Sequence, residues 1–274
     1  MKSSNKPDFA KATSDKPKIS LVIPAYKAES FIAETVRLRI KELAKLEFPY
    51  ELIVVIDGKS KATADVLAGI KNPNLVVFHY DTNRGKGFAV RYGMQKATGD
   101  YIGYIDAGND ILPGIITTMV QRISRNDVDG VVPVKWLPDS QIIYPLHRKI
   151  YSRLYHFFLR WVLGIRVSDT QVGAKLYTKK LVRKVLPRLL VKRFAFEAEF
   201  LAVAMHFGYK RFAEVPVKIA SDQKSTVRFI DGLHSLWDGL AVYYRLYIRR
   251  YYDRDLNFHK SSKAREHKNL TFIF

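Results

Sequence analysis

Five short, nearly continuous apolar runs set the tightest limit on what this chain can fold into. They are Ile19–Ile23, Leu52–Ile56, Leu75–Tyr80, Tyr101–Ile105 and Val131–Val134. Amphipathic stretches alternate with them. Ser30–Leu46 places Phe31, Thr35, Leu38 and Leu43 on one side, Ala62–Ile70 and Gly87–Ala97 follow, and Pro113 opens a further helix in its first turn. Runs that are apolar throughout, rather than at every second residue, belong to strands covered on both faces. Joined by helices, they predict an α/β fold with a mostly parallel central sheet and flanking helices. In such sheets ligands bind beyond the carboxyl ends of the strands. Four polar clusters fall at those ends: Tyr26-Lys27-Ala28-Glu29, Asp57-Gly58-Lys59-Ser60, Asn83–Gly87 and Asp106–Asp110.

The second half of the chain has a different character. Of the net charge of +20, residues 1–140 carry 20 − 16 = +4 and residues 141–274 carry 26 − 10 = +16. A basic half fits an anionic partner: nucleic acid, acidic lipid headgroups or a phosphorylated substrate. Tyr144–Ile165 reads as a helix with Ile150, Leu154, Phe157 and Trp161 on one stripe and Tyr151, Tyr155 and Phe158 beside it. Lys149, Arg153, His156 and Arg160 form an opposing stripe. Leu233, Trp237, Leu240, Tyr244 and Tyr247 repeat the arrangement, followed by Arg249, Arg250 and Arg254. Basic helices with an aromatic face are the pattern of an interfacial segment, and a surface helix docked on its own core gives the same pattern. No apolar run reaches the ~20 residues of a transmembrane helix. Residues 1–17, rich in Lys, Ser, Asp and Pro, read as a disordered tail. With no cysteine in the chain, disulfides, thiolate metal sites and thiol nucleophiles are excluded.

The strand-end clusters suggest chemistry. Carboxylates in Asp106-Ala107-Gly108-Asn109-Asp110 can hold a hard divalent cation that bridges a diphosphate, although Asp, Gly and Asn are also ordinary turn residues. Asn83-Arg84-Gly85-Lys86-Gly87 is a glycine-flanked basic turn entering a helix, suited to phosphate contact.

In order and spacing, Ser20–Tyr26 with Glu29, Val54–Ser60, Asn83–Ala89, Gly99–Asp106 and Asp169–Lys175 resemble the family 2 glycosyltransferases. Within that family the chain is similar to the dolichyl- or polyprenyl-phosphate sugar synthases, over roughly residues 18 to 228. The resemblance implies a glycosyltransferase A fold, a nucleotide-sugar donor (UDP-glucose or GDP-mannose) and Mg²⁺ or Mn²⁺. It implies that Pro24, Tyr26, Glu29, Asp57, Lys86 and Lys135 serve the nucleotide, Lys135 standing where these synthases often have Arg. It makes Asp106 and Asp110 metal ligands, and Arg148 and Ser152 the pair that receives the lipid phosphate. Asp106, Arg148, Asp169 and Gln171 would carry catalysis, with Gly173 and Lys175 completing the acceptor-side motif and Phe196-Glu197-Ala198-Glu199 opening a helix near the site. Three features depart from the pattern. Gly108 replaces the usual second Asp of the metal motif, Ile56 replaces an Asp before Asp57, and the usual C-terminal transmembrane helices are missing.

The expectation is thus a catalytic domain over 18–228 and an amphipathic, membrane-associating segment over 229–274, in a cytoplasmic enzyme held peripherally on an anionic membrane. It transfers a hexose with inversion to a polyprenyl or dolichyl phosphate. A phosphate acceptor is already anionic at pH 7, its second pKa being about 6, so it needs no strong general base. A hydroxyl acceptor on a sugar or protein would need one, and remains the alternative within enzymes. Nucleic acid is not an expected partner, because no nucleic-acid motif is present and the strand-end acids would repel phosphates. A nucleotidyltransferase is disfavoured by the lack of a glycine-rich signature near the first strand.

Overall fold

The computed structural model describes residues 16–108, 110–140, 157–193, 195–220, 229–255, 257 and 270–272. Its strands are β1 (Ile19–Ala25), β2 (Tyr50–Asp57), β3 (Leu75–Tyr80), β4 (Tyr101–Ile105), β5 (Gly130–Val134), β6 (Ala174–Thr178), β7 (Phe212–Pro216) and β8 (Leu270–Phe272). The helices are α1 (Ile32–Ala44), α2 (Lys61–Ala68), α3 (Lys86–Lys96), α4 (Ile115–Ile123), α5 (157–163), α6 (Lys179–Val185), α7 (Phe196–His206) and α8 (Phe229–Tyr243).

All the described strands join one sheet in the order β7-β5-β6-β4-β1-β2-β3-β8. β4, β1, β2 and β3 run parallel, as the apolar runs require. β6 is inserted antiparallel between β4 and β5, and β8 caps the β3 edge antiparallel. The pleat divides the apolar side chains between two cores. Leu21, Ile23, Leu52, Val54 and Ile56 face α1, α2 and α4, whereas Val22, Ile53 and Val55 face α3, α6 and α7. At one point α3 approaches the sheet closely, because a Cβ at Gly93 would lie 2.5 Å from Val22 Cγ1.

Two sequence expectations are corrected here. The helix after Pro113 begins two residues later, at Ile115, because Gly114 takes φ +101° and turns the chain first. The buried face of α1 runs through Ile32, Thr35, Val36, Arg39, Glu42 and Leu43 rather than Leu38. It therefore contains a charged pair, Arg39 Nη1 to Glu42 Oε2 at 3.0 Å, which an apolar period cannot reveal. The pair has work on the neighbouring loop. Arg39 Nη2 donates to the Ile111 carbonyl (2.7 Å), and Glu42 Oε1 accepts from the amides of Gly114 (2.8 Å) and Ile116 (2.9 Å).

Candidate active site at the carboxyl edge of the sheet

Three loops at the carboxyl ends of the parallel strands meet two elements from the second half. Asp57, buried at the end of β2, accepts the Arg84 amide on Oδ1 (2.7 Å) and the Gly85 amide on Oδ2 (2.9 Å). This fixes the basic turn at the start of α3. Glycine is required there: Gly85 has φ +93°, and a Cβ on it would stand 2.7 Å from the Lys192 carbonyl. A Cβ on Gly87 would stand 2.5 Å from Phe196 Cβ, so the turn presses directly on the N-terminus of α7.

The acidic loop after β4 is clamped from three sides. The Asp106 amide donates to the Gly173 carbonyl (2.7 Å), Thr35 Oγ1 donates to the Ala107 carbonyl (2.7 Å), and the Ala220 amide donates to the Asp110 carbonyl (2.8 Å). Thr35 therefore holds the loop, although its spacing alone assigns it to an apolar stripe.

Lys86, the first residue of α3, reaches across this junction. Its Nζ lies 2.7 Å from Asp106 Oδ1 and 2.9 Å from Glu197 Oε1. The other Glu197 oxygen meets Lys175 Nζ at 2.8 Å, and Lys175, wholly buried on β6, also donates to the Val172 carbonyl (2.6 Å). Both ammonium groups stand 5.8 Å from the centre of the Tyr104 ring. The result is an alternating chain of charge, Asp106–Lys86–Glu197–Lys175. Burial pulls the Glu197 carboxyl upward, but Lys175 and Lys86 hold it below its ordinary value. For Asp106 the balance goes the other way: burial, with Glu197 adding to it, raises the carboxyl despite Lys86. Burial also raises Asp110. Asp106 has one oxygen sealed in, yet its side chain keeps 41% of its surface exposed. Gly173 makes that placement feasible, since a Cβ there would lie 1.9 Å from Asp106 Oδ2.

The remaining sequence-derived residues that are described lie along the same edge of the sheet. Pro24 lies in β1 and Tyr26 just beyond it, 53% exposed, with Lys27 Nζ 5.4 Å over its ring. Glu29 accepts from Thr63 Oγ1 (3.1 Å) near Ser60, which caps α2. Lys135, at the end of β5, pairs with Asp169 (3.5 Å), whose Oδ1 accepts the Gln171 amide (2.8 Å). The Gln171 side chain is turned to Thr170 Oγ1 (2.9 Å). Arg148 and Ser152 lie outside the described residues, as do residues 1–15 of the expected tail.

The donor chemistry suits a hard divalent cation. Asp106 and Asp110 offer oxygens only, and the buried Asp110 Oδ1 has no hydrogen-bond partner. Gly108 leaves the space beside that carboxylate open, its virtual Cβ being 3.5 Å from Asp110 Oδ1. Among the described residues no three His, Cys, Asp or Glu side chains gather as a metal cluster. A cation there would complete its shell with oxygens of a bound ligand or water, as Mg²⁺ commonly does.

A second surface is formed by α5 and α8. α5 and α8 pack together: a Cβ on Gly239 would meet Phe158 at 2.8 Å, and Tyr247 Oη donates to the Leu163 carbonyl (3.5 Å). Leu159, Leu163, Val242 and Leu246 turn inward. Phe157, Trp161 (72% exposed), Trp237 (73%), Leu240, Tyr244 and Tyr247 turn outward. Six of the described members of the two aromatic stripes seen in the sequence thus face outward, whereas Phe158 packs inward against Gly239. Among the described residues no helix is long and apolar enough to cross a membrane.

This sheet, with its acidic loop beyond β4, is a glycosyltransferase A fold. The same fold is found in mannosyl-3-phosphoglycerate synthase from Rubrobacter xylanophilus, with a TM-score of 0.65 and 16% identity over 85% of this chain and 75% of that one. It recurs in glucosyl-3-phosphoglycerate synthase from Mycobacterium tuberculosis, solved with Mn²⁺ and UDP-glucose (TM-score 0.60, 18% identity, 83% and 79% coverage). The model of glycosyl transferase family 2 matches residues 20–186, more than half of the chain, and the chain belongs to that family. Its relatives include dolichyl-phosphate beta-glucosyltransferases of Dictyostelium discoideum (29% identical over 214 residues, 73% of this chain) and Drosophila melanogaster (32% over 203 residues, 68% of this chain). The matched parts span 65% and 62% of those relatives' lengths.

Proposed function

We propose that this chain transfers a hexose from a nucleotide-sugar donor to a polyprenyl or dolichyl phosphate at a membrane surface. The observation that carries the acceptor assignment is the outward-facing aromatic surface of α5 and α8. A set of exposed Trp, Tyr, Phe and Leu side chains on two packed segments of a basic half is suited to an anionic lipid interface. The names of the dolichyl-phosphate relatives support the same reading.

The donor would sit at the carboxyl edge of the sheet, in a unit spanning residues 18–228. Pro24, Tyr26 and Glu29 would line the nucleotide pocket, together with the loop that Asp57 pins. Asp106 and Asp110 would hold Mg²⁺ or Mn²⁺, which supplies Lewis-acid stabilisation of the departing diphosphate. Lys86 and Lys135 bring further positive charge to the same edge. The acceptor phosphate, held by Arg148 and Ser152, attacks the anomeric carbon from the face opposite the diphosphate. A phosphate oxygen–carbon bond forms as the carbon–diphosphate oxygen bond breaks, the leaving oxygen keeps the electron pair, and the configuration inverts. Asp169 and Gln171, with Lys135, would shape the acceptor side. Because the nucleophile is already an anion, no residue has to remove a proton, and placing the charged groups is the main task. UDP-glucose and GDP-mannose are both candidate donors.

The acceptor assignment is tested by supplying labelled donor with a short polyprenyl phosphate or the matching free polyprenol. Product from the phosphate alone, abolished by Arg148→Ala, is the expected result. Equal transfer to the alcohol, or an unaffected Arg148→Ala enzyme, would replace the phosphate acceptor with a hydroxyl.

A further inference from the structure

Lys86 stands in the place a metal would have to share. Its ammonium joins two carboxylates on different elements, Asp106 after β4 and Glu197 on α7, at 2.7 and 2.9 Å. The two acids depend on it unequally. Glu197 keeps a second cation, because Lys175 Nζ sits 2.8 Å from its other oxygen and is fixed in turn by the Val172 carbonyl. Among the described residues the ion pair of Asp106 is with Lys86 at 2.7 Å, while Lys175 acts on it from farther off. Withdrawing Lys86 would therefore leave Glu197 compensated and expose the charge of Asp106 to whatever enters the site.

The geometry permits such a withdrawal. Lys86 begins α3 directly after Gly85, and its side chain keeps 19% of its surface open. A lysine carries its charge on a flexible four-carbon stem, so the head can move while the backbone stays pinned by Asp57. Asp106 is confined on one side, since Gly173 lies so close to its Oδ2 that a Cβ there would stand 1.9 Å away. An ammonium and a dication on one carboxylate repel each other strongly at a few ångströms. An incoming diphosphate would relieve the conflict by bringing negative charge of its own for the ammonium.

We infer that Lys86 is the resident counter-ion of the acidic loop: it occupies Asp106 while the donor site is empty and yields it to a divalent cation only when a nucleotide diphosphate takes over its charge. The inference rests on the metal-and-donor reading above and adds an order to it, with cation binding conditional on nucleotide.

Mn²⁺ titrations of the full chain, read by loss of the free-ion electron paramagnetic resonance signal, test this without any turnover. They compare wild type with Lys86→Met, Lys86→Gln and Lys86→Arg, each with and without UDP or GDP. Cooperative thermal melting of each variant serves as the folding control. Wild type and Lys86→Arg are expected to bind Mn²⁺ weakly alone and tightly with nucleotide. Lys86→Met and Lys86→Gln should bind Mn²⁺ alone about tenfold or more tighter than wild type, and gain less from nucleotide. Measurable binding that is equal in wild type and both neutral variants without nucleotide would overturn the counter-ion role and leave the metal reading standing. No Mn²⁺ binding by any of the proteins, with or without nucleotide, would overturn both.

Discussion

Glu197 and Glu199 are two positions apart on α7, yet they serve two regions that treat buried charge in opposite ways. Glu199 is wholly buried and saturated. It accepts the amides of Leu190 (3.0 Å) and Val191 (2.8 Å), the Tyr252 hydroxyl (2.6 Å) and Arg245 Nη1 (3.2 Å). It thereby ties α7 to the loop before it and to the C-terminal segment beyond α8. Glu197 is part of a chain of shared ammonium groups that ends at Asp106, whose side chain is partly exposed, in the same loop as an Asp110 oxygen with no partner. Two positions apart on a helix do not share a face, so one element can build a structural anchor and a chemical site at once. A carboxylate with every lone pair engaged is structural, whereas one left short of partners is available to a ligand.

The contrast can be broken first at the anchor. Glu199→Ala removes an acceptor from the buried Val191 amide, the half-buried Leu190 amide and a buried hydroxyl and should cost about 3–5 kcal/mol. Urea unfolding measures it, and a loss below about 1 kcal/mol would deny the anchor role. The site should respond in the opposite sense. Gly173→Ala would set a Cβ 1.9 Å from Asp106 Oδ2, displacing the carboxylate. Transfer should fall about 100-fold, with less loss of stability than Glu199→Ala. Equal damage to folding would erase the distinction between the regions.

Acid sharpens the comparison further. The folded-state carboxyl of Glu197 lies below its ordinary value of 4.5, held there by Lys175 and Lys86 against the upward pull of burial. A depressed carboxyl stabilises the fold above the unfolded-state pKa, and that contribution fades as pH falls through the folded-state value. Wild type should therefore lose stability as pH drops below about 4.5, and Glu197→Gln should show a shallower decline over the same range, measured by denaturation at stepped pH. The smallest effect belongs to the aromatic surface. Trp161→Ala with Trp237→Ala should change stability by no more than about 0.5 kcal/mol per site. The same pair should weaken binding to anionic vesicles roughly tenfold or more. Unchanged flotation with such vesicles would remove this surface from the membrane account.

Much of the parallel sheet was legible because its strands are apolar on both faces and end in polar clusters. The insertion of β6 against the direction of its neighbours was not, since no local pattern in Ala174–Thr178 encodes strand direction. The acidic loop and the basic turn could be read, but their support could not. Thr35 looks like one more member of a stripe until its hydroxyl is seen on the Ala107 carbonyl. Arg39 and Glu42 look solvated until both are found buried and holding the loop that follows Asp110. Charged pairs on a buried face are invisible to hydrophobic periodicity because it assigns charge to water. The aromatic stripes of α5 and α8 were visible, but only their exposure separates an interfacial face from a core-facing one.

Transfer of radiolabelled sugar tests the central assignment most directly. UDP-glucose and GDP-mannose are supplied separately with a short polyprenyl phosphate, Mg²⁺ or Mn²⁺, and a parallel reaction containing chelator. The account predicts an acid-labile lipid-linked product from one donor, lost with chelator. Donor hydrolysis or transfer to a free hydroxyl, with no lipid product from either donor, would contradict it.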